Sequence, residues 1–378
     1  VLKIEAAFML LPCVTSLIYH EKEGRYFFLV SCVCMLLGVL MTYRKPKNTV
    51  FYLKEGCLAT SLSWIILSLF GAIPFWISGE IPQWENALFE TISGFTTTGA
   101  TVLSNVEGLS HTALIWRSFT HWIGGMGVLV FLLAILPLSG GSSINLMRAE
   151  SPGPSVGKLV PKVRYTAMIL YTIYFGMTVI EFIFLLAGKM PVFDALTTAF
   201  GTAGTGGFGI KNDSIMGYSP YIQWVVAIFM ILFGINFNFY FYILYRHFRK
   251  AISMEEIHYY LAMILIAVTI IFLNVRTMYP TGFEAMTHSV FQVASLATST
   301  GFSTTDFDLW PQTSQTILII VMFVGACAGS TGGGIKVSRI VIMFKTVLKE
   351  LNSYIHPKSV RKINVEGKPV DHDFWRMT

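Results

Sequence analysis

A Thr-Gly pair recurs at three places in the chain, in FETISGFTTTGAT (89–101), LTTAFGTAGTGGF (196–208) and FQVASLATSTGFS (291–303). With Gly99, Gly206 and Gly301 set in register, the residue before each glycine is a threonine: Thr98, Thr205 and Thr300. None of the three stretches holds a nucleophile beside a base, or a His, Cys or carboxylate set at metal-ligand spacing. What they offer is oxygen. Glycine reaches positive φ with no β-carbon to collide, so consecutive carbonyls can be turned to one side. Carbonyls gathered around an axis replace the hydration shell of a monovalent cation, and nearby hydroxyls add ligands or brace the loop. The candidate ligand groups are Thr97, Thr98 and Gly99, then Gly204, Thr205 and Gly206, then Ser299, Thr300 and Gly301. Acidic residues follow each set (Glu107; Asp213; Asp306 and Asp308) and would concentrate cations at a mouth by long-range attraction.

Elements that place such loops must lie in a membrane. The chain is 54% hydrophobic and 13% charged, against about 25% charged in soluble domains. Apolar segments long enough for the roughly 20 helical residues that cross a bilayer occur at 4–19, 26–43, 58–78, 112–137, 165–187, 219–245, 258–275 and 313–328. Each Thr-Gly loop is preceded by an apolar stretch too short to cross, which reads as a re-entrant half-helix. Its C-terminal end carries partial negative charge and favours a cation. Non-helical backbone at that depth is tolerated only where protein buries it or water lines it, so three such loops are expected to share one axis. The repeating unit is span, half-helix, loop, span, in parallel copies. The fold class is an all-α integral membrane protein with an N-terminal two-helix hairpin (1–57) and pore repeats at 58–164, 165–257 and 258–348. A cytoplasmic connection follows at 349–378.

Charge orients the chain. Loops 44–56, 138–164, 246–257 and 345–378 carry 18 Lys and Arg, and the alternate loops carry five, with eleven Asp and Glu. By the positive-inside bias the first set is cytoplasmic, and so is the N-terminus. The net charge of +6 therefore faces anionic lipid rather than nucleic acid. Cys13, Cys32, Cys34, Cys57 and Cys327 sit in or beside apolar segments without redox or zinc spacing, and are expected as buried free thiols.

The third unit carries a second irregularity. A continuous helix over 313–348 would be about 54 Å long, well beyond a bilayer core. Gly325, Gly329, Gly332, Gly333 and Gly334 supply a break, each about 1 kcal/mol worse than Ala in a helix. The resulting polar loop, with Lys336 and Arg339 after it, is placed to lie under the other loops as a gate. GSTGGGIKVS is no phosphate-binding loop, because Ile335 separates the last glycine from Lys336 and no strand precedes it. Arg117, His121 and Glu181 are ionisable residues inside spans, where pairing between helices or a functional role is expected. No catalytic constellation is present in the sequence, and an enzyme is not expected. A secondary transporter with broken helices binding a cation or small solute at the midplane is the competing function. It calls for inverted repeats and a single pair of interrupted segments, whereas these three loops lie on one side.

TTTGAT, GTAGTGGFG, ATSTGFST and ACAGSTGGGIKVSR together resemble the Trk/Ktr/HKT superfamily of potassium transporters, most closely bacterial Trk-type potassium-uptake membrane subunits. The resemblance covers nearly the whole chain. It implies four pseudo-equivalent units around one potassium pore in a bacterial inner membrane, with filter glycines at Gly99, Gly206 and Gly301 and an intramembrane gating loop at about 325–334. Glycine at all three positions, rather than serine at the first, implies potassium over sodium. A homodimer, a cytoplasmic ring of TrkA-like nucleotide-binding regulatory subunits and the absence of any bound cofactor are also implied. The segment from 356 to 378 then reads as the connection toward a fourth unit.

Overall fold

The computed structural model describes residues 1–43, 53–127 and 163–355, together with the short pairs 364–365 and 368–369. Fifteen α-helices carry the described residues, and the one strand pair joins Asn364–Val365 to Lys368–Pro369.

The N-terminal hairpin pairs α1 (Leu2–Phe8) and α2 (Leu10–Tyr19), which act as one apolar span, with α3 (Gly24–Thr42). Gly24 is needed where α3 starts, since a β-carbon there would collide with Ser16. The first unit is α4 (Leu53–Ser78), the short α5 (Trp84–Phe95) and α6 (His111–Met126). The second is α7 (Val163–Ala187), the short α8 (Val192–Ala203) and α9 (Pro220–Phe233), followed by α10 (Phe237–Leu244) and α11 (Phe248–Ile252). The third is α12 (Glu255–Val275), the short α13 (Gly282–Ala297) and α14 (Gln312–Val324), with α15 (Val337–Ile355) beyond a break. In each unit the two flanking helices pack on the short one; the units also interlock, because α6 packs on α8 and α9 packs on α13.

Among the described residues, five helices are long and apolar enough to cross a membrane, or six if the bent pair α9–α10 is one span. That is fewer than the eight apolar segments suggest. The segment 219–245 is bent by 91° at a corner that Gly234 permits, because a β-carbon there would strike the Tyr260 hydroxyl. The corner's freed carbonyls are satisfied: Tyr260 donates to Ile231 O at 3.2 Å and Tyr240 to Leu232 O at 2.6 Å. The segment 313–328 yields a helix that stops at Val324, where Gly325 takes φ 75°. In 112–137 the helix ends at Met126, and 128–137 lie outside the described residues, as do 138–162 and most of 356–378. Cys34 and Cys327 are buried as expected, but Cys32 and Cys57 are exposed on outward helix faces.

The hairpin holds the start of α6 through one carboxylate. Glu21 accepts from His111 N at 2.8 Å, Thr112 N at 2.9 Å and the Thr112 hydroxyl at 2.6 Å, at the positive end of the helix dipole. Burial pushes this carboxyl up, and the bonds from Thr112 and His111 outweigh it, leaving it below its usual value. A carboxyl depressed in the folded state stabilises above its unfolded value of about 4.3, and that stability is lost as pH falls through the folded value. Melting temperature measured from neutral pH into the acid range is expected to fall more steeply for the parent than for Glu21→Gln. Parallel curves would refute the cap.

Candidate functional site

Three loops follow the short helices: loop 1 (96–101), loop 2 (204–209) and loop 3 (298–303). Each begins with the same helix-ending turn. Thr97 N and Thr98 N bond back to Gly94 O and Ser93 O, Thr205 N and Gly206 N to Thr202 O and Gly201 O, and Ser299 N and Thr300 N to Leu296 O and Ser295 O. These are the paired bonds of a Schellman cap, whose left-handed position is ordinarily glycine. Here it is Thr97, Thr205 and Ser299, at φ 53°, 50° and 56°. Two residues on, glycine at positive φ follows in every loop: Gly99 (73°), Gly207 (77°) and Gly301 (86°).

This backbone register corrects the sequence alignment of the second unit. Gly207, not Gly206, is the counterpart of Gly99 and Gly301, and Gly206 corresponds to Thr98 and Thr300. The Thr-Gly pair at 205–206 sits one residue early. The cue was present in the sequence, since Gly207-Phe208 matches Gly301-Phe302.

The loops converge. A β-carbon on Gly99 would collide with Gly206 O and come within 3.8 Å of Thr300 O, and one on Gly207 would collide with Thr300 O. Equivalent carbonyls of loops 2 and 3 thus press on the glycine of the loop before them. Phe208 and Phe302 are both buried. The Phe302 ring packs on Gly201 of α8, and the Phe208 ring packs near Gly94 of α5. The remaining side, bounded by Gly301 and by Thr96, Thr98 and Ala100, is exposed, and a β-carbon on Gly301 meets nothing within 4 Å.

What backs the loops differs between units. In loops 1 and 3 the threonine hydroxyls pair, Thr96 with Thr98 at 2.8 Å and Thr298 with Thr300 at 2.7 Å. Loop 2 has Gly204 and Gly206 at those positions, and His121 of α6 fills the space. Gly204 abuts the His121 carbonyl, Gly206 abuts its ring, and Nδ1 accepts from Phe208 N at 3.3 Å. The imidazole stacks on Phe208 at 4.1 Å, and the guanidinium of Arg117, one turn away, also lies over that ring at 4.0 Å. Arg117 also donates to Gly209 O (3.1 Å) and to Glu90 of α5 (2.7 Å). Glu90 in turn accepts from the Thr101 hydroxyl and Val102 N at 2.9 and 3.2 Å. One buried ion pair therefore clamps the exits of loops 1 and 2. Arg117 and His121 stood out in the sequence as intramembrane ionisable residues; Glu90 did not, and only its place on the short helix, six residues before the loop, marks it. Glu181 is fully buried on α7.

The break in the third unit packs directly beneath. Residues 325–336 are held by Gly333 N donating to Ser299 Oγ (2.6 Å), Thr205 Oγ1 donating to Thr331 O (2.9 Å) and Thr331 Oγ1 donating to Phe233 O (3.3 Å). The α9–α10 corner adds Phe237 N to Gly329 O and Cys327 N to Gly234 O, both 3.0 Å. Glu256 Oε1 accepts from Ala328 N and Ser338 N, and the buried Lys336 ammonium donates to Gly332 O. Gly325, Gly329 and Gly334 adopt positive φ, and Gly332 and Gly333 leave room for Ala326 and Ser299.

At the outer rim Asn212 ties loop 2 to the first unit, accepting from Val106 N (2.9 Å) and donating to Glu107 (3.0 Å) and Asn105 (2.9 Å). Glu107, Asp194 and Asp213 line the outer cleft there with His111 and Lys211. Asp306 caps a single helical turn at Phe307–Leu309.

Residues 23–377 match a family model described as TrkH, cation transport protein. The chain is 36% identical over 370 residues to the Trk system potassium uptake protein TrkH of Salmonella typhimurium, covering 95% of this chain and 76% of that protein. It is 29% identical over 377 residues to TrkI of Halomonas elongata, covering 98% and 76%. Among solved structures it matches the crystal structure of the potassium transporter TrkH from Vibrio parahaemolyticus, with a TM-score of 0.85, 30% identity and coverage of 98% and 77% of the two chains.

The substitution of an imidazole for a threonine pair is open to a direct swap. Gly206→Ala overpacks against His121 and is expected to destabilise by about 1–3 kcal/mol, read as a lower melting temperature in detergent. His121→Gly in the same chain should recover much of that loss. Equal destabilisation with and without the imidazole would show that the two residues do not compete for one space.

Proposed function

The chain belongs to the TrkH cation transport family, and from that premise we propose that it carries potassium into a bacterium across the cytoplasmic membrane, through a pore lined by the three converging loops. The observation that carries the reading is the pressing of Gly206 O onto Gly99 and of Thr300 O onto Gly207. Main-chain oxygens from separate units meet there at one line, the arrangement that can stand in for the water of a monovalent cation. Thr97, Thr98 and Gly99, Thr205, Gly206 and Gly207, and Ser299, Thr300 and Gly301 form the filter, with Gly204 making room behind it. Units 58–164, 165–257 and 258–348 each contribute one loop. A fourth unit of the same kind closes the exposed side next to Gly301. Residues 325–336, including Gly325, Gly329, Gly332, Gly333, Gly334 and Lys336, act as the gate, because they lie hydrogen-bonded beneath loops 2 and 3. Potassium is the substrate, and no bound cofactor takes part. The N-terminus is cytoplasmic, the protein is a homodimer, and a nucleotide-binding regulatory subunit acts on the gate from the cytoplasm. The acidic outer loops raise the local cation concentration.

Two experiments address the filter and the gate separately. Full-length protein expressed in a bacterium deficient in potassium uptake should restore growth at low potassium, and Gly99→Asp or Gly301→Asp should abolish it. Undiminished growth from either variant would sink the filter assignment. In liposomes, deleting 329–334 should raise potassium flux, since it removes the obstruction under the filter. Unchanged or lower flux from a variant that keeps the parent's melting temperature would remove the gate.

A further inference from the structure

The corner at Gly234–Asn236 serves two elements at once. On one side it donates and accepts the bonds that hold the 325–336 loop: Phe237 N to Gly329 O, Cys327 N to Gly234 O, and the Thr331 hydroxyl to Phe233 O. On the other it launches α10 at 91° to α9, and α10 runs on through a tight turn at Arg246 (φ 58°) into α11. This arm packs on α7 and connects two spans, so it lies at one membrane face by continuity of the chain.

Its outer surface is amphipathic in the manner of an interfacial element. Leu244, Phe248 and Ile252 are exposed apolar side chains, and Arg246, Arg249 and Lys250 are exposed among them. Among the described residues no ion pair involves any of the three cations. The two carboxylates that follow are already engaged: Glu255 pairs with Lys345, and Glu256 holds the backbone of the 325–336 loop. Three unpaired cations beside apolar anchors suit a lipid surface, where the anchors enter the acyl boundary and the cations meet phosphate. The cationic loops, by their charge, belong to the leaflet that carries anionic lipid.

We propose that the α10–α11 arm docks the anionic phospholipid headgroups of the cytoplasmic leaflet, and that lipid held there favours the docked form of the 325–336 loop. The inference rests on the gate reading above. A ligand that binds the arm in the position seen here stabilises the state seen here, and in that state the loop is tied to the corner, to Thr205 and to Ser299. Each Lys or Arg close to an anionic surface strengthens partitioning by about fivefold, so three of them suffice for the membrane's composition to register on a loop held by a few hydrogen bonds.

The test uses purified full-length protein in liposomes of phosphatidylcholine alone or with phosphatidylglycerol, and in detergent micelles doped with the same lipids. Phosphatidylglycerol should raise the melting temperature and lower potassium flux by about threefold or more, the scale on which surface charge acts. The triple variant R246Q/R249Q/K250Q, altered only at exposed side chains, should transport in phosphatidylcholine as the parent does while losing both responses. A parent indifferent to phosphatidylglycerol, as expected if the arm's occupant is a protein, overturns the proposal, as does a triple variant that responds like the parent. Flux that rises with phosphatidylglycerol overturns the direction assigned to the loop. Absence of flux in every liposome would count against the transport reading itself, and the melting temperatures would still decide the lipid site.

Discussion

Backbone that leaves a helix inside a membrane has to find its hydrogen bonds in protein, because the hydrocarbon offers none. Among the described residues this chain leaves a helix at five such places: three loops after short helices, the α9–α10 corner and the break between α14 and α15. Their amides are answered mostly by one another. The corner supplies carbonyls to the break, the break supplies an amide to Ser299 and a carbonyl to Thr205, and the loops close on their own helix ends. Side chains fill the remainder, with Tyr240, Tyr260 and Glu256 each meeting backbone groups that a straight span would have satisfied internally. The irregular segments therefore form one connected core, wrapped by the longer apolar helices. That is why the units interlock, each outgoing helix packing on the short helix of the next unit.

Within that core the first two units are joined by charge and the second and third by neutral contacts. Glu90 and Arg117 are both almost wholly buried, and removal of one member of such a pair costs about 3–5 kcal/mol, because the other is left as an uncompensated charge. The position equivalent to Glu90 in the third unit is Gln292, whose amide donates to Thr305 O at 3.1 Å; a neutral donor ties the short helix to its loop exit there, where a charged acceptor does so in the first unit. Arg117 and His121 enclose Phe208 and so fix loop 2 from behind, whereas loops 1 and 3 are backed by their own hydroxyl pairs. Pseudo-symmetry thus governs the backbone, and the side chains that support it are free to differ.

That division explains what could be read from the sequence. Hydropathy and the recurrence of Thr-Gly disclosed the units, the short helices and the three-loop convergence, because these are backbone demands repeated three times. The glycines of 325–334 disclosed the break for the same reason. The register of loop 2 was hidden: its glycines at 204 and 206 answer to the carbonyl and the imidazole of His121 in another unit, and a residue more than 80 positions away leaves no local mark. The right-angled corner was hidden too. Gly234 and Asn236 are unremarkable inside an apolar run, and the bend depends on hydroxyls from Tyr240 and Tyr260 that only the folded chain brings near.

Hydroxyl residues at the left-handed caps have the least local reason to exist. Glycine would hold φ near +50° freely, while a residue with a β-carbon pays on the order of 1 kcal/mol or more there. Two of the three, Thr205 and Ser299, nonetheless face the 325–336 loop, and their side chains form the direct bonds to Thr331 and Gly333. A glycine at either place would relax the loop turn and sever its tie to the loop below. The strain is therefore tolerated for a connection between the two irregular layers. Thr97, whose side chain lies instead against Gly124 of α6, shows that the hydroxyl class is kept even where the partner is a helix. On the filter and gate proposed above, those two hydroxyls are the direct link between the upper layer and the loop beneath it.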